Sequence, residues 1–236
     1  MSNVVIIGGG AAGMAAAIGA AGAGHQVSVY EKNEKLGKKI YITGKGRCNV
    51  TNGCDVEDFF GHVVTNGKFL YSAVYGFTNQ DVMDLLEECG CPLKIERGER
   101  VFPVSDKSSD VISALAGKLR KERVSVYLNE PVKEILTEDG RAVGILLEKS
   151  GRRIPADAVI VATGGLSYPA TGSTGDGYRF ARELGHTVTA LSPALVPFVC
   201  AEEDVTRLQG LSLRNIEVTV RNGKKILWKE FGEMLF

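Results

Sequence analysis

The sequence predicts an α/β fold. A parallel sheet starts with a βαβ unit and carries inserted helices and an antiparallel β-meander, and a mostly β second domain begins after it. Three observations carry this prediction. The chain opens on a β-branched run, "NVVIIGGG", which ends in glycines and passes into an alanine-rich segment. Three strand-like stretches crowd together between residues 124 and 149. A later apolar run, "ADAVIVATGG", again closes on glycines.

The elements follow in order. "NVVII" reads as a buried parallel strand, because a short β-branched run bounded by glycine buries both its faces. Residues 11–23 read as a helix ending at Gly24, and "HQVSVYE" as the second strand of a crossover unit. Residues 32–54 are expected to form a polar, glycine-rich loop. Helical patterns follow at 67–76, at 80–89 after the turn "FTN", and at 107–122 after Ser105-Asp106. "VSVYL", "VKEILTE" and "AVGILLEK" form the expected meander, with a turn at Asp139-Gly140. "ADAVIVATGG" reads as another buried strand, "GDGYRFARELG" as a helix, and the chain from about 191 as mostly β. His25 and His186 sit in "GHQV" and "GHTV", and both read as turn residues leading into strands.

Composition narrows the function. Lys+Arg and Asp+Glu are both 28, and a zero net charge gives no broad electrostatic case for nucleic acid or an anionic membrane. Five scattered cysteines are an odd number without C-x-x-C spacing, which points to a reducing compartment and a cytoplasmic protein with no metal site. The apolar start lacks a basic flank and is broken by glycines, unlike a signal peptide.

Gly8-Gly9-Gly10-Ala11-Ala12-Gly13 contains G-x-G-x-x-G at a strand-to-helix junction, the context that gives this pattern its meaning. Gly8 permits the tight turn, Gly10 lets a pyrophosphate approach the backbone, and Gly13 lets helix and strand pack closely. The N–H groups at the helix start favour the phosphates. Glu31, at the end of the second strand, suits the ribose hydroxyls of FAD or NAD and repels a 2′-phosphate. The second glycine-terminated strand and the inserted meander favour FAD over NAD. The alternative is a plain glycine-rich turn.

The pieces "VIIGGGAAGMAAA", "EKNEKLGKKIYITGKGRCNVTN", "ADAVIVATGGLSYPATGSTGDGYRFARELGH" and "PALVPF" resemble the two-dinucleotide-binding-domain flavoproteins. Within them they are similar to the BaiN/YhiN-like NAD(P)/FAD-dependent oxidoreductases. The resemblance implies a Rossmann-like FAD-binding domain over residues 1–190 and the beginning of a substrate domain over 191–236. It implies that Gly8, Gly10, Ala11, Ala12, Gly13 and Glu31 hold the ADP half of FAD, with Lys32 and Lys39 flanking it. Val132 would meet the adenine, and Thr163, Gly164 and Gly165 would line the cofactor from the other side. Members of the family are usually longer, so a C-terminally truncated form is expected.

In "TGKGRCNVTN", Gly44 and Gly46 are expected to let the backbone pass near the flavin. Arg47, Asn49 and Asn52 would offer donors to the ring edge or to an anionic substrate. A self-satisfied polar loop is the competing reading. Cys48 is a candidate thiol beside the cofactor. A disulfide-reductase role for Cys48 and Cys54 stays open, although five residues separate them where flavin–disulfide reductases use four. Tyr168 is a candidate for shading the substrate pocket, and Asp176 is either a helix cap or a ligand contact. The catalytic candidates are thus Arg47, Cys48 and Tyr168, with the chemistry itself on the flavin. The expected reaction is hydride transfer from NADH or NADPH to a small organic substrate. A non-catalytic dinucleotide-binding fragment is the alternative.

Overall fold

In the computed structural model, which describes residues 1–236, strand β1 (Asn3–Ile7) runs into helix α1 (Ala11–Gly22) and then strand β2 (Gln26–Glu31). The two strands pair in parallel, Val4 with Val27 and Ile7 with Tyr30. Period-two alternation sorts their side chains. Val4, Ile6, Val27 and Val29 face one layer, where Met14, Ala17 and Ile18 of α1 are buried against them. Val5, Ile7 and Tyr30 face the other.

Residues 32–54 are more structured than an open loop. They hold helix α2 (Lys38–Ile42), a 3₁₀ turn over Thr43–Gly46 and the short strand β3 (Thr51–Asn52). Helices α3 (Val56–Gly61), α4 (Gly67–Gly76) and α5 (Asn79–Glu88) follow. A reciprocal capping box between Thr78 and Asp81 starts α5. Strands β4 (Leu93–Glu96) and β5 (Arg100–Pro103) form a hairpin with β3 beside β5. Neither α3 nor this hairpin is apparent in the sequence, because each is short and heavily charged.

Helix α6 (Ser108–Lys121) buries Val111, Leu115 and Leu119 in the same cluster as α1. It delivers strand β6 (Ser125–Leu128) parallel to β2. This corrects the expected meander: "VSVYL" joins the parallel sheet, because a helix crossover returns the chain in the same direction. Tyr127 there stacks on Tyr30 with ring centroids 4.8 Å apart. The meander consists of β7 (Val132–Glu138), β8 (Arg141–Leu147) and the unforeseen β9 (Arg153–Pro155). It covers the second face through Ile135, Ile145 and Leu147.

Strand β10 (Ala158–Val161) pairs with β1 and completes the order β10-β1-β2-β6. It is an edge strand, and Val161 is 43% exposed, so the expected full burial is corrected. Helix α7 (Asp176–Glu183) places Phe180 in the meander-side core, a burial that stabilises by about 1.5–3 kcal/mol. The four parallel strands therefore present their carboxyl ends along one rim.

The chain divides into units Met1–Val188 and Thr189–Phe236. His25 leads into β2 as expected. No strand directly follows His186, whose N–H closes α7 on the Ala181 carbonyl at 2.9 Å. The second unit holds helix α8 (Asp204–Arg207) and a bulged hairpin of β11 (Ser212–Asn222) and β12 (Lys225–Leu235). No helix is long and apolar enough to cross a membrane.

Candidate dinucleotide site

The β1–α1 turn is built from three glycines with different reasons to be glycine. Gly8 has φ +108°, and a Cβ there would lie 2.5 Å from the Ala162 carbonyl oxygen at the end of β10. A Cβ on Gly13 would lie 1.8 Å from the Gly8 carbonyl oxygen. Gly10 has an ordinary φ of −80°, and a Cβ there would meet nothing within 4 Å. It borders open cleft. Helix α1 begins without a side-chain cap or an acidic residue in its first turn. The N–H groups of Ala11, Ala12 and Gly13 precede the first helical bond, from Met14 N to Gly10 O at 2.9 Å. This helix start presents free donors and positive potential, the arrangement that receives a phosphate.

A cleft of about 810 Å³ opens in front of it. This lies in the upper part of the roughly 300–1,000 Å³ range of cofactor sites. Gly8, Gly10, Ala11, Ala12, Glu31, Lys32, Lys39, Cys48, Asn49, Val132, Thr163 and Gly164 all line it. Among the expected contacts, Gly13, Gly44, Gly46, Arg47 and Gly165 do not. Gly13 acts one layer below, through helix packing. An apolar wall of Phe77, Val82, Leu85 and Leu115 forms part of the lining.

Glu31 is buried and already organised by the protein. Its Oε2 accepts from Gly9 N at 2.6 Å, and its Oε1 accepts from Asn33 N and Nδ2 at 2.8 and 2.6 Å. The two lysines clasp the loop after β10. Lys32 Nζ donates to Thr174 Oγ1 and Asp176 Oδ2 at 2.6 and 2.7 Å. Lys39 Nζ donates to Ser173 Oγ at 2.7 Å and to the Ser167 carbonyl at 2.8 Å. Asp176 thus combines its place at the start of α7 with an ion pair to Lys32.

The expected donors of residues 43–52 serve the fold. The Arg47 guanidinium lies 4.1 Å from the Phe102 ring centroid and donates to Glu96 and Asp106, which also pair with Lys94. Hydrogen bonds from Arg47 hold the Glu96 carboxyl below the usual carboxylate range, and those from Lys94 and Arg47 do the same for Asp106. Asn52 donates to the Gly98 carbonyl at 2.9 Å and accepts from Cys54 N at 2.9 Å. The Asn49 amide nitrogen, facing the Thr51 and Val101 carbonyls, donates at 3.0 and 3.2 Å. Gly44, Lys45, Gly46 and Cys48 all have positive φ, which makes this a tightly coiled turn.

Cys48 is a buried free thiol whose pKa burial pushes up, opposed by a hydrogen bond with Thr43. This runs against an activated thiolate. Tyr168, 68% exposed with φ +53°, lies outside the cleft, beside Lys35, Lys38 and Tyr41 in a shallow groove.

Two buried polar atoms have no hydrogen-bond partner: Thr163 Oγ1 and Glu130 Oε2. Both residues line the cleft. Neither atom is open to the cleft, so the fit to a polar dinucleotide rests on the bare start of α1 and on the organised Glu31 carboxylate. Glu130, Asn33, Ser173 and Arg179 are lining residues that sequence reasoning misses. Only Asn33 carried a signal, two residues after Glu31 in "EKN".

A family model, the HI0933-like protein Rossmann domain, matches residues 2–227. The chain is 34% identical to the 3-dehydro-bile acid delta(4,6)-reductase of Clostridium scindens, over 99% of this chain and 56% of that protein. It is 31% identical to a ribosomal RNA dihydrouridine synthase of Haemophilus influenzae, over 100% of this chain and 57% of that one. The chain thus spans little more than half the length of the curated relatives it matches. In fold it is similar to the open conformation of a flavocytochrome c3 fumarate reductase, with TM-score 0.59 and 22% identity over 91% of this chain and 47% of that one. An RNA-modifying relative keeps a nucleic-acid partner in play, which net charge alone had set aside. The bare helix start and the match over nearly the whole chain lead to one assignment: the chain belongs to the HI0933-like Rossmann-domain family of flavoproteins, the BaiN/YhiN-like group that its motifs resemble.

Proposed function

We propose that the chain is the nucleotide-holding part of a flavin-dependent oxidoreductase that carries reducing equivalents from NADH or NADPH to an organic substrate. The observation that carries this reading is Gly10: its φ needs no glycine, no protein atom crowds it, and it stands at an uncapped helix start. A ligand that must touch the main chain there gives the glycine its reason. Bound FAD would supply two-electron chemistry at its isoalloxazine ring. In this reading the N–H groups of α1 face the pyrophosphate and Glu31 takes the ribose hydroxyls. The main chain of Thr163 and Gly164 meets the flavin half at the end of β10, and the apolar wall keeps water out.

The relatives favour a substrate class. A delta(4,6)-reductase of 3-dehydro-bile acids and a dihydrouridine synthase share one transformation, saturation of a C=C bond conjugated to a carbonyl. We take an activated alkene as the substrate of this protein too, and zero net charge favours a small molecule over RNA. The test is an anaerobic absorption titration with FAD, then NADH and NADPH, then a cyclic enone or a uridine-containing RNA. Retained flavin that bleaches with a nicotinamide and recovers its colour with the enone is the expected result. A chain that retains no FAD overturns the reading, and recovery with RNA alone reassigns the substrate.

A further inference from the structure

In the reading above, two turns on the rim hold the two halves of the dinucleotide, and one lysine joins them. Helix α2 is tied to the phosphate turn, because Gly37 N donates to the Gly9 carbonyl at 2.9 Å. From α2, Lys39 Nζ reaches the loop after β10. It donates to the Ser167 carbonyl at 2.8 Å, to Ser167 Oγ at 3.3 Å and to Ser173 Oγ at 2.7 Å. An ammonium has three N–H groups, and these three oxygens take all of them.

The loop has little else to hold it on this side. Among residues 164–175 only Ser173 is buried, and Leu166 and Tyr168 are 49% and 68% exposed. The other ties to the β2–α2 segment act further along, from Asn33 Nδ2 to the Thr171 carbonyl and from Lys32 Nζ to Thr174 and Asp176. Gly164 has φ +74°, and a Cβ there would lie 2.7 Å from Ser173 Oγ. The hydroxyl that Lys39 holds is therefore packed on the Gly164 main chain.

We propose that Lys39 is a positioning residue that fixes the spacing between the phosphate turn and the flavin turn. It acts through Ser173 on the Gly164 main chain, not as a ligand of the phosphates. This rests on the flavin reading above and deepens it. Fixed spacing favours a ligand that engages both turns, because the protein then has less to order on binding. It does nothing for a ligand that engages the first turn alone. FAD is the first kind of ligand and ADP the second.

The experiment measures ADP and FAD binding by calorimetry for the full chain, Lys39→Met, Ser173→Ala and the double variant, and records the absorption of the bound flavin. Each single variant is expected to bind FAD on the order of 10-fold more weakly, with ADP affinity within about twofold of the parent. The flavin bands should move in both variants, because the main chain beside the ring moves. The double variant should be no weaker than the weaker single, since both changes break one linkage. Unchanged FAD affinity overturns the proposal. A Lys39→Met chain that loses ADP as much as FAD also overturns it and makes Lys39 a phosphate ligand. Additive losses in the double variant, or losses without a spectral shift, leave Lys39 a stabilising contact only and overturn it as well. If Lys39→Met does not fold, Ser173→Ala decides by the same split, since it removes a single oxygen. A parent chain that binds ADP but no FAD refutes the flavin reading itself, and the positioning role falls with it.

Discussion

The two glycine-rich turns of this chain, Gly8–Gly13 and Thr43–Asn52, look alike in composition and do opposite work. In the first, glycine removes side chains so that backbone meets backbone at Gly8 and Gly13 and stays bare at Gly10. In the second, glycine supplies left-handed φ at Gly44 and Gly46, and the polar residues close on the protein itself. The lesson is that a glycine with an ordinary φ and empty space before it, at an uncapped helix start facing a cleft, points to a ligand, whereas one with positive φ points first to the chain.

The largest expected effect breaks the first turn from within. Gly13→Ala drives a methyl into the Gly8 carbonyl and should destabilise the fold by about 3 kcal/mol or more. A urea melt indistinguishable from the parent would show that the turn is looser than described. Gly10→Ser separates ligand from fold most sharply. Serine gives α1 the side-chain cap it lacks, so stability should rise by up to about 1 kcal/mol. FAD affinity should meanwhile fall on the order of 100-fold, ~2.7 kcal/mol. Parallel changes in both quantities would erase the distinction between the two kinds of glycine.

Glu31→Arg comes next, weakening ADP and FAD equally by ~1.5–3 kcal/mol as the charged acceptor is lost. Unaltered affinity would detach Glu31 from the nucleotide. Arg47→Ala tests the second turn. Amide exchange over residues 43–52 should accelerate, with FAD affinity lowered less than tenfold (~1.4 kcal/mol) and ADP affinity unmoved. A large loss of ADP binding would make Arg47 a direct ligand contact and the two turns alike.

The smallest effects are ionic. Glu96 and Asp106 have depressed pKa values, so the folded state binds fewer protons than the unfolded chain near pH 4. Their contribution is complete above the unfolded carboxylate values of about 4. It is lost as pH falls through the lower folded values. Protection of the second turn in hydrogen exchange should therefore hold from neutrality to about pH 5 and decline below about pH 4. A decline near neutrality would exclude these carboxylates as its cause. In the same turn, buried Cys48 should alkylate far more slowly than exposed Cys200, and the gap should narrow only in alkaline solution.

Much of the first turn was legible in the sequence, since strand, glycine spacing, helix and Glu31 are local signals. The second turn was not. Arg47 finds Glu96 and Asp106 through the β4–β5 hairpin, and that hairpin carries too few apolar residues to announce itself. "VSVYL" fits a meander from sequence alone because alternation is the same in parallel and antiparallel strands. Only the helix packed before it decides its direction. Glu130 escaped notice for a related reason: its place beside Glu31 follows from strand order, which no spacing along the chain encodes.

The interlock of Gly8, Gly13 and Ala162 has a consequence for divergence. Three segments, the ends of β1 and β10 and the start of α1, meet almost entirely main chain to main chain, with only the Ala162 methyl packed beside Gly13. The shape of the phosphate cradle is therefore indifferent to most exchanges in the surrounding core. Gly8 and Gly13 would press a side chain on main chain, whereas Gly9 would press one only on the Leu36 and Glu31 side chains, which can shift. A saturation scan of this region should reveal narrow intolerance at Gly8 and Gly13 in an otherwise permissive segment.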